Sequence, residues 1–209
     1  MPHGIVTRCR KCPMLGSPAC YHGSEAMTGK VVQVHTPLGD EVLALRAGDH
    51  VELSGIVYTA RDEAHLRMQK EGIPFDAQGA VIYHCGPVVQ DKKIIAAGPT
   101  TSARMNELSG FLLDNGVRAL IGKGGMGSLV REQLKNRGIY LAFTGGCAAL
   151  ASSHMTLKGV FFEDLGMAEA IWVIELKRLP LVVGIDAQGN DIFDAVMRHA
   201  KQEYDRYRK

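Results

Sequence analysis

Two threonines and an arginine stand together where an apolar stretch of the chain gives way to a helical pattern. The segment reads Gly98-Pro99-Thr100-Thr101-Ser102-Ala103-Arg104, and it follows the apolar run 94–97, which is typical of a buried strand. Because the first N–H groups of a helix are unpaired and its dipole is positive there, the segment indicates an anion site. A helix cap followed by a solvent-facing arginine is the alternative interpretation, and for an isolated segment it is the commoner arrangement.

A second loop carries a cation between a strand and a helix. Its sequence, Gly122-Lys123-Gly124-Gly125-Met126-Gly127, satisfies the G-x-G-x-x-G pattern of dinucleotide-binding folds. That fingerprint also requires an acidic residue at the end of the next strand, and residues 139–146 contain no carboxylate. Lys123 also lacks the Ser or Thr that follows the lysine of a P-loop. We therefore interpret Lys123 as a cation on a glycine loop, where Gly124 lets a ligand approach closely.

A third cation, Arg61, opens a predicted helix together with Asp62 and His65. Taken alone, this is best interpreted as a solvated, charged helix start. Further along, residues 81–87 and 94–99 each combine an apolar run with a terminal Gly-Pro, which predicts a hairpin or two neighbouring strands. Cys85, within the first of these runs, is expected to be a small core residue rather than a nucleophile.

The chemically suggestive residues all follow predicted strands, and this is the edge at which α/β sheets bind ligands. Three cations with no compensating cluster of carboxylates suit a small dianion such as a dicarboxylate. The set contains cations, hydroxyls and glycines that leave clearance: Arg61, Gly86, Thr100, Thr101, Arg104, Lys123 and Gly124.

The elements that would position these residues predict a mixed α/β fold. Strands and helices alternate over residues 95–145, which favours a parallel sheet covered by helices. Residues 49–59 alternate polar and apolar side chains, so we expect a half-exposed antiparallel strand there. Further strands are predicted near 170–175 and 181–185, followed by a turn and an amphipathic helix from Ile192.

Length and composition exclude several classes of protein. The chain has 209 residues, of which 46% are hydrophobic and 22% charged, with a net charge of +2, so it suits one ordinary domain without a nucleic-acid-binding face. No apolar run is long enough to span a membrane, and the N-terminus lacks the apolar core of a signal peptide. Five cysteines, an odd number, favour free thiols in a reducing compartment, so a cytoplasmic protein is expected.

Residues 1–30 differ in composition from the rest and are interpreted as an extension to a domain spanning residues 31–209. This segment holds Cys9, Cys12, Cys20 and His22, which have the ligand chemistry of a zinc or iron–sulfur site. No second Cys-x-x-Cys completes the set. A flexible extension that binds nothing is the favoured interpretation; a metal site and a redox pair remain as alternatives.

Five motifs resemble, in order and spacing, the β subunit of class I fumarate hydratases and L-tartrate dehydratases, which is the C-terminal domain of the single-chain iron–sulfur enzymes. They cover about residues 31–197 and read Thr59-Ala60-Arg61-Asp62-Glu63-Ala64-His65, Gly86-Pro87-Val88, Gly98-Pro99-Thr100-Thr101-Ser102-Ala103-Arg104-Met105, Ile121-Gly122-Lys123-Gly124-Gly125-Met126 and Gly145-Gly146-Cys147-Ala148. The resemblance implies a swivelling β/β/α domain. Cys147 lies within a motif, although a buried thiol is its expected role.

The resemblance also implies a function and a partner. It predicts a hydro-lyase that hydrates fumarate to malate, with L-tartrate dehydration to oxaloacetate as the alternative. Arg61, Arg104 and Lys123 would grip the substrate carboxylates and Thr100 would be the base, beside Gly86, Thr101 and Gly124. A [4Fe-4S] cluster is expected on a separate α subunit, in a heterotetramer, with no metal ligand on this chain. In another functional class, the chain would be a stand-alone module that binds a small anion without catalysis.

Overall fold

The computed structural model describes residues 31–208 of the chain. The predicted extension with its cysteines therefore lies outside the described residues. The strands are β1 (Val32–His35), β2 (His50–Thr59), β3 (Val81–Tyr83), β4 (Val88–Gln90), β5 (Lys93–Ala96), β6 (Ala119–Gly122), β7 (Ile139–Ala142), β8 (Met155–Phe161) and β9 (Ile171–Ile185). The α-helices are α1 (Asp62–Glu71), α2 (Ser109–Asp114), α3 (Ser128–Leu134), α4 (Ala148–Ser152) and α5 (Ile192–Tyr207).

Seven of the strands form one mixed sheet in the order β1-β2-β3-β6-β7-β9-β8. The neighbours from β1 to β7 are parallel, whereas β9 is antiparallel to β2, β7 and β8. Because β9 pairs with β2 as well as with β7, the strands β2, β3, β6, β7 and β9 close into a barrel. The predicted mixed α/β class with parallel strands in the middle of the chain is confirmed; the closure was not foreseen.

The central parallel strands are buried on both faces, which explains their continuous apolar sequences. Alternate residues of β3 and β6, such as Tyr83 and Ile121, belong to the core inside the barrel. The residues between them, Ile82 and Leu120, belong to a second core under the helices. Each fully buried side chain of this kind stabilises the fold by roughly 1.5–3 kcal/mol relative to an exposed one.

The strand expected at residues 49–59 is β2, and it is antiparallel to β9 as predicted. Its other edge is parallel to β1 and β3, because long crossovers rather than hairpin turns connect these three strands. Two further expectations about the strands were wrong. The two runs that end in Gly-Pro are not a hairpin, since β3 pairs with β2 and β6 while β5 pairs with β4. Their ends do meet, through an isolated antiparallel bridge between Cys85 and Pro99. The two predicted strands near the C-terminus are one strand, β9, which continues through Arg178 at a φ of 52°.

The helices also depart from prediction. The helix expected to begin at the Thr-Thr segment is split into a 3-10 helix, Ser102–Met105, and the separate helix α2. The amphipathic helix α5 is present as predicted, yet none of its residues is buried. No helix within residues 31–208 has the length and apolarity that a membrane crossing requires.

Candidate active site

The seven residues singled out from the sequence gather at one edge of the barrel. The strands β2, β3 and β6 are parallel neighbours, so their C-terminal ends reach the same edge. Arg61 follows β2, Gly86 follows β3, and Lys123 with Gly124 follows β6. The placement expected from the strand ends is thus what the structure has.

The Thr100–Thr101 segment lies between two of these strand ends and bonds to both. The backbone N–H of Thr100 donates to the carbonyl of His84 at 2.7 Å, and the carbonyl of Thr100 accepts from Lys123 N–H at 3.2 Å. Thr101 forms a parallel bridge with Lys123, and the N–H of Ser102 donates to the Lys123 carbonyl at 3.1 Å. This segment therefore acts as a short extra strand.

That arrangement corrects the sequence-based argument for an anion site in two ways. The N–H of Ser102 is occupied by Lys123, and the element that begins here is a four-residue 3-10 helix rather than a long α-helix. The alternative interpretation is also wrong in part, because the side chain of Thr101 makes no capping hydrogen bond. Side chains rather than a helix end must supply the attraction for an anion at this edge.

Arg61 is held from one side by Glu169, which lies just before β9. The Nε atom of Arg61 is 3.3 Å from Oε1 of Glu169, and the other carboxylate oxygen accepts from the N–H of Glu63 at 3.1 Å. A Cβ on Gly86 would lie 3.0 Å from Nη1 of Arg61 and 2.6 Å from the carbonyl of Ala168. Gly86 therefore provides clearance for Arg61 itself.

Arg104 also has a carboxylate partner, because its Nη2 donates to Oδ2 of Asp62 at 2.7 Å. The arginine side chain is 50% exposed, so this pair faces solvent. The expectation of three cations without compensating carboxylates was wrong for Arg61 and Arg104, since residues distant in sequence supply the carboxylates. Lys123 is exposed and forms no ion pair within the described part of the chain. We name Arg61, Thr100, Arg104 and Lys123 the rim.

Beneath the rim lies a buried group of polar side chains, which we name the floor: His84, Ser102 and Tyr140. Nδ1 of His84 is 2.8 Å from Oγ of Ser102, which is 3.1 Å from the hydroxyl of Tyr140. That hydroxyl donates to the carbonyl of Gly124 at 2.7 Å. All three floor side chains are inaccessible to solvent.

Burial determines the protonation of the groups under the rim. It lowers the pKa of His65 and lowers that of His84 well below its ordinary value, so both imidazoles are neutral. It raises the pKa of the Cys85 thiol to about 12, which confirms an unreactive core cysteine. The expectation of a buried thiol at Cys147 was wrong, because this residue is only half-buried and precedes α4.

The donor groups of the described chain do not resemble a metal site. Within residues 31–208, no three His, Cys, Asp or Glu side chains come together where they could hold a metal ion. The two cysteines in this range, Cys85 and Cys147, are free thiols, and Cys85 is enclosed in the core. These residues therefore do not fit an iron–sulfur cluster, and any such group would need ligands from elsewhere.

Sequence reasoning missed four residues that shape this site. Asp62 was noticed and assigned to a solvated helix start, although its position beside Arg61 brings it to the same edge. Glu169 could not be found, because more than a hundred residues separate it from Arg61. For His84 and Tyr140, the available signal was a polar group inside an otherwise apolar strand, which requires a buried partner.

Comparison with known proteins agrees with the motifs. The family model described as Fumarase C-terminus matches residues 11–196, beginning inside the predicted extension. A Methanocaldococcus jannaschii protein, provisionally named L(+)-tartrate dehydratase subunit beta, is 42% identical over 75% of this chain and 87% of its own length. The L(+)-tartrate dehydratase subunit beta of Escherichia coli K12 is 39% identical over 75% of this chain and 84% of its own.

A third relative is longer than this chain. It is a Geobacillus stearothermophilus protein provisionally named class I fumarate hydratase, 34% identical over 86% of this chain but only 37% of its own length. This chain therefore corresponds to about a third of that relative and to nearly the whole of the two β subunits. The chain belongs to the Fumarase C-terminus family, the family of β subunits and C-terminal domains of class I fumarate hydratases and tartrate dehydratases.

Proposed function

We propose that the chain is the β subunit of a heteromeric iron–sulfur hydro-lyase that reversibly hydrates fumarate to malate. The observation that supports this best is the gathering of Arg61, Arg104 and Lys123 at the edge shared by β2, β3 and β6. A four-carbon dicarboxylate carries two negative charges. Arg61 and Arg104 each have guanidinium N–H donors that are not used in the pairs with Glu169 and Asp62, and these donors can bind its carboxylates. Lys123 adds a cation with no carboxylate partner in residues 31–208, which suits charge that develops during reaction.

The chemistry of the reaction makes use of such cations. Removing a proton from the carbon beside a carboxylate spreads a second negative charge onto that carboxylate. Cations fixed at its oxygens therefore stabilise the transition state more than the ground state. In the reverse direction the same groups orient the double bond for addition of water. Lys123, which has no internal carboxylate partner in residues 31–208, would supply the least compensated charge.

Thr100 is our candidate for the group that removes the proton. Within the described residues its hydroxyl makes no hydrogen bond, while its backbone is fixed on both sides by His84 and Lys123. A threonine hydroxyl is a weak base at neutral pH, so the surrounding cations must favour its deprotonated form. Oγ1 of Thr100 would take the proton, with Thr101, Gly86 and Gly124 shaping the space around the substrate.

The remaining chemistry is assigned to a partner. The subunit names of the relatives imply an α subunit in a multi-subunit enzyme. We propose that this α subunit carries a [4Fe-4S] cluster, which would supply Lewis-acid chemistry for the departure or addition of the hydroxyl. A heterotetramer is the assembly we expect, and the chain alone should be inactive.

L-Tartrate dehydration to oxaloacetate is a second candidate, and one observation favours it. The two relatives that match this chain over most of their own length are both named as tartrate dehydratase β subunits. The rim suits either dicarboxylate, because both substrates present two carboxylates on a four-carbon chain. Discrimination must then depend on contacts to the substrate hydroxyls, including those made by the α subunit.

The test is reconstitution under anaerobic conditions with a candidate α subunit, sought first in the gene next to that of this chain. Both substrates are assayed with the complex, with each subunit alone, and with the chain plus a metal chelator. We expect turnover only from the complex, and the larger kcat/KM identifies the substrate. Turnover by the isolated chain in chelator would overturn the two-subunit proposal. A stable chain that binds dicarboxylates but never forms a complex would favour the anion-binding module.

A further inference from the structure

We propose that the floor is a positioning device with a fixed order of protons, which sets the Thr100–Thr101 segment against the Lys123–Gly124 loop. By the order of protons we mean the direction of each hydrogen bond: Nδ1 of His84 donates to Ser102, Ser102 donates to Tyr140, and Tyr140 donates to the carbonyl of Gly124. The effect that we expect on kcat/KM rests on the proposed function, whereas the direction of the hydrogen bonds does not depend on any activity.

The floor links the side chains of three elements, in addition to the backbone bonds that join each of them to β6 or to the Lys123 loop. His84 follows β3, Ser102 begins the 3-10 helix after Thr101, and Tyr140 lies in β7. Through the Gly124 carbonyl the chain of hydrogen bonds ends in the loop that carries Lys123. A shift of Ser102 would therefore move the Thr100–Thr101 segment relative to Lys123, although none of the floor side chains reaches the surface.

Counting protons fixes the direction of each hydrogen bond. The Gly124 carbonyl can only accept, so the single proton of the Tyr140 hydroxyl is committed to it at 2.7 Å. The Tyr140 oxygen must then accept from Ser102 across 3.1 Å, because two bare oxygens would otherwise face each other. With its own proton used, Ser102 Oγ accepts at 2.8 Å from a protonated Nδ1 of His84.

The neighbouring histidine is fixed by the same reasoning. Nδ1 of His65 is 2.7 Å from the carbonyl of Arg61, so it carries the proton and Nε2 is left bare. The rings of His65 and His84 lie 5.6 Å apart, and neither Nε2 has a hydrogen-bond partner in the described part of the protein. Two neutral rings with bare, enclosed Nε2 atoms thus support the rim without placing a charge beneath Thr100.

The floor side chains fit only because residue 122 is a glycine, the first glycine of the G-x-G-x-x-G pattern found in dinucleotide-binding folds. A Cβ on Gly122 would lie 1.7 Å from Oγ of Ser102 and 3.3 Å from Nδ1 of His84. Oγ of Ser102 therefore occupies the volume that any larger residue at position 122 would fill. The first glycine of the G-x-G-x-x-G pattern is accounted for by this contact, with no ligand involved.

The order of protons can be tested without any activity. Side-chain ¹⁵N NMR of the full chain at pH 7.5 should show His84 protonated on Nδ1 and bare on Nε2, with the signal assigned by its loss in His84→Gln. In Ser102→Ala the preference for the Nδ1–H tautomer should weaken, because its acceptor is gone. A wild-type His84 protonated on Nε2 would overturn the proposed order.

The positioning role is tested by kinetics of the assembled enzyme with matched controls. Tyr140→Phe and Ser102→Ala should each lower kcat/KM by about 10- to 100-fold, and Tyr140→Phe should act mainly through KM because its hydroxyl holds the Lys123 loop. The matched controls also remove a buried hydroxyl that donates to a backbone carbonyl. Tyr83→Phe loses a bond to Ala97, and Ser109→Ala loses one to Met105.

The controls should change kcat/KM by less than about 2-fold at a similar loss of melting temperature. Equal kinetic losses in the floor variants and the controls would overturn the positioning role and leave the floor as packing. If the wild-type complex hydrates neither fumarate nor tartrate, the proposed function fails, and the NMR result still decides the order of protons.

Discussion

The rim and the floor are adjacent, but different interactions hold them: ion pairs near solvent in the rim and buried hydrogen bonds between neutral groups in the floor. The rim is charged and partly exposed, and its arginines are paired with Glu169 and Asp62 at 3.3 and 2.7 Å. The floor is neutral and fully buried, with every bond of its chain leading to another protein group. Exposed ion pairs contribute little to stability and exchange partners readily, whereas buried hydrogen bonds are costly to leave unmade. In the proposed function, the rim would exchange substrate and product while the floor beneath it keeps its hydrogen bonds.

Removing the proposed base should produce the largest effect, and it belongs to the rim. Thr100→Ala should lower kcat by roughly 10²- to 10⁴-fold with KM changed little, because a base acts in the chemical step rather than in substrate binding. The measurement is steady-state kinetics of the assembled enzyme. Thr101→Ala, one residue away with an exposed side chain, is the comparison variant. Because Thr101 would only line the space around the substrate, its loss should lower kcat much less than the loss of Thr100. Similar losses in both variants would remove the base assignment.

The next largest effect should come from replacing the guanidinium of Arg104 by an ammonium group, which keeps the charge but changes the hydrogen-bonding geometry. Arg104→Lys should cost about 2–4 kcal/mol of transition-state stabilisation, or roughly 30- to 1000-fold in kcat/KM, because an ammonium cannot pair bidentately with a carboxylate. The folded stability should hardly change, since the ion pair with Asp62 is half-exposed. Near-normal kcat/KM would make Arg104 a surface arginine paired only with Asp62.

Lowering the pH should destabilise the fold through the two buried histidines, His65 and His84. Burial lowers the pKa of His65 and His84 in the folded protein, so below about pH 6.5 the unfolded chain binds protons more readily. Stability is therefore complete above that pH and falls below it, by at most about 1.4 kcal/mol per pH unit for each ring. Urea unfolding of the chain at pH 7.5 and 5.5 measures this. A carboxylate, Asp186, should contribute only at more acidic pH.

That separation of pH windows follows from the surroundings of Asp186. Although burial acts to raise the pKa of this carboxyl, hydrogen bonds from Asn190 and from the backbone of Ala47 keep it below its ordinary value. Its stabilisation is lost only as the pH falls below about 4. His65→Gln should flatten the slope between pH 7.5 and 5.5, because it removes one of the two buried imidazoles. An unchanged slope in His65→Gln would contradict neutral burial.

The smallest effects should come from the two carboxylates that pair with the rim arginines, and their removal should change KM in opposite directions. Glu169→Gln should raise KM by about 3- to 10-fold, because Glu169 fixes Arg61 from behind and the pair is only about one-fifth exposed. Asp62→Asn should lower KM by a few-fold, because Asp62 competes with substrate for the outer face of Arg104. Substrate titration at two salt concentrations measures both. A rise in KM for Asp62→Asn would make Asp62 a second support.

Local patterns predicted the fold class and the edge at which the candidate residues meet, but not the pairing of the strands around them. Strand ends, glycines and cations are encoded within a few residues, so the edge that holds Arg61, Thr100 and Lys123 could be inferred. The partners of these residues come from distant positions: Glu169 meets Arg61 only because β9 returns beside β2. The parallel pairing of β1 and β2 was likewise invisible, because alternation of side chains does not reveal the direction of a neighbour. The short 3-10 helix after Thr101 could not be predicted either, because the backbone of this segment bonds to His84 and Lys123, which are distant in sequence.

The long strand β9 has a consequence for how the protein is made. It pairs Leu181 with Val51 and also joins β7 and β8, so the barrel cannot close until β9 has been synthesised. Contacts between such distant residues slow folding, and until they form the edges of β2 and β7 stay unpaired. A nascent chain stalled before Ile171 should be degraded or held by chaperones.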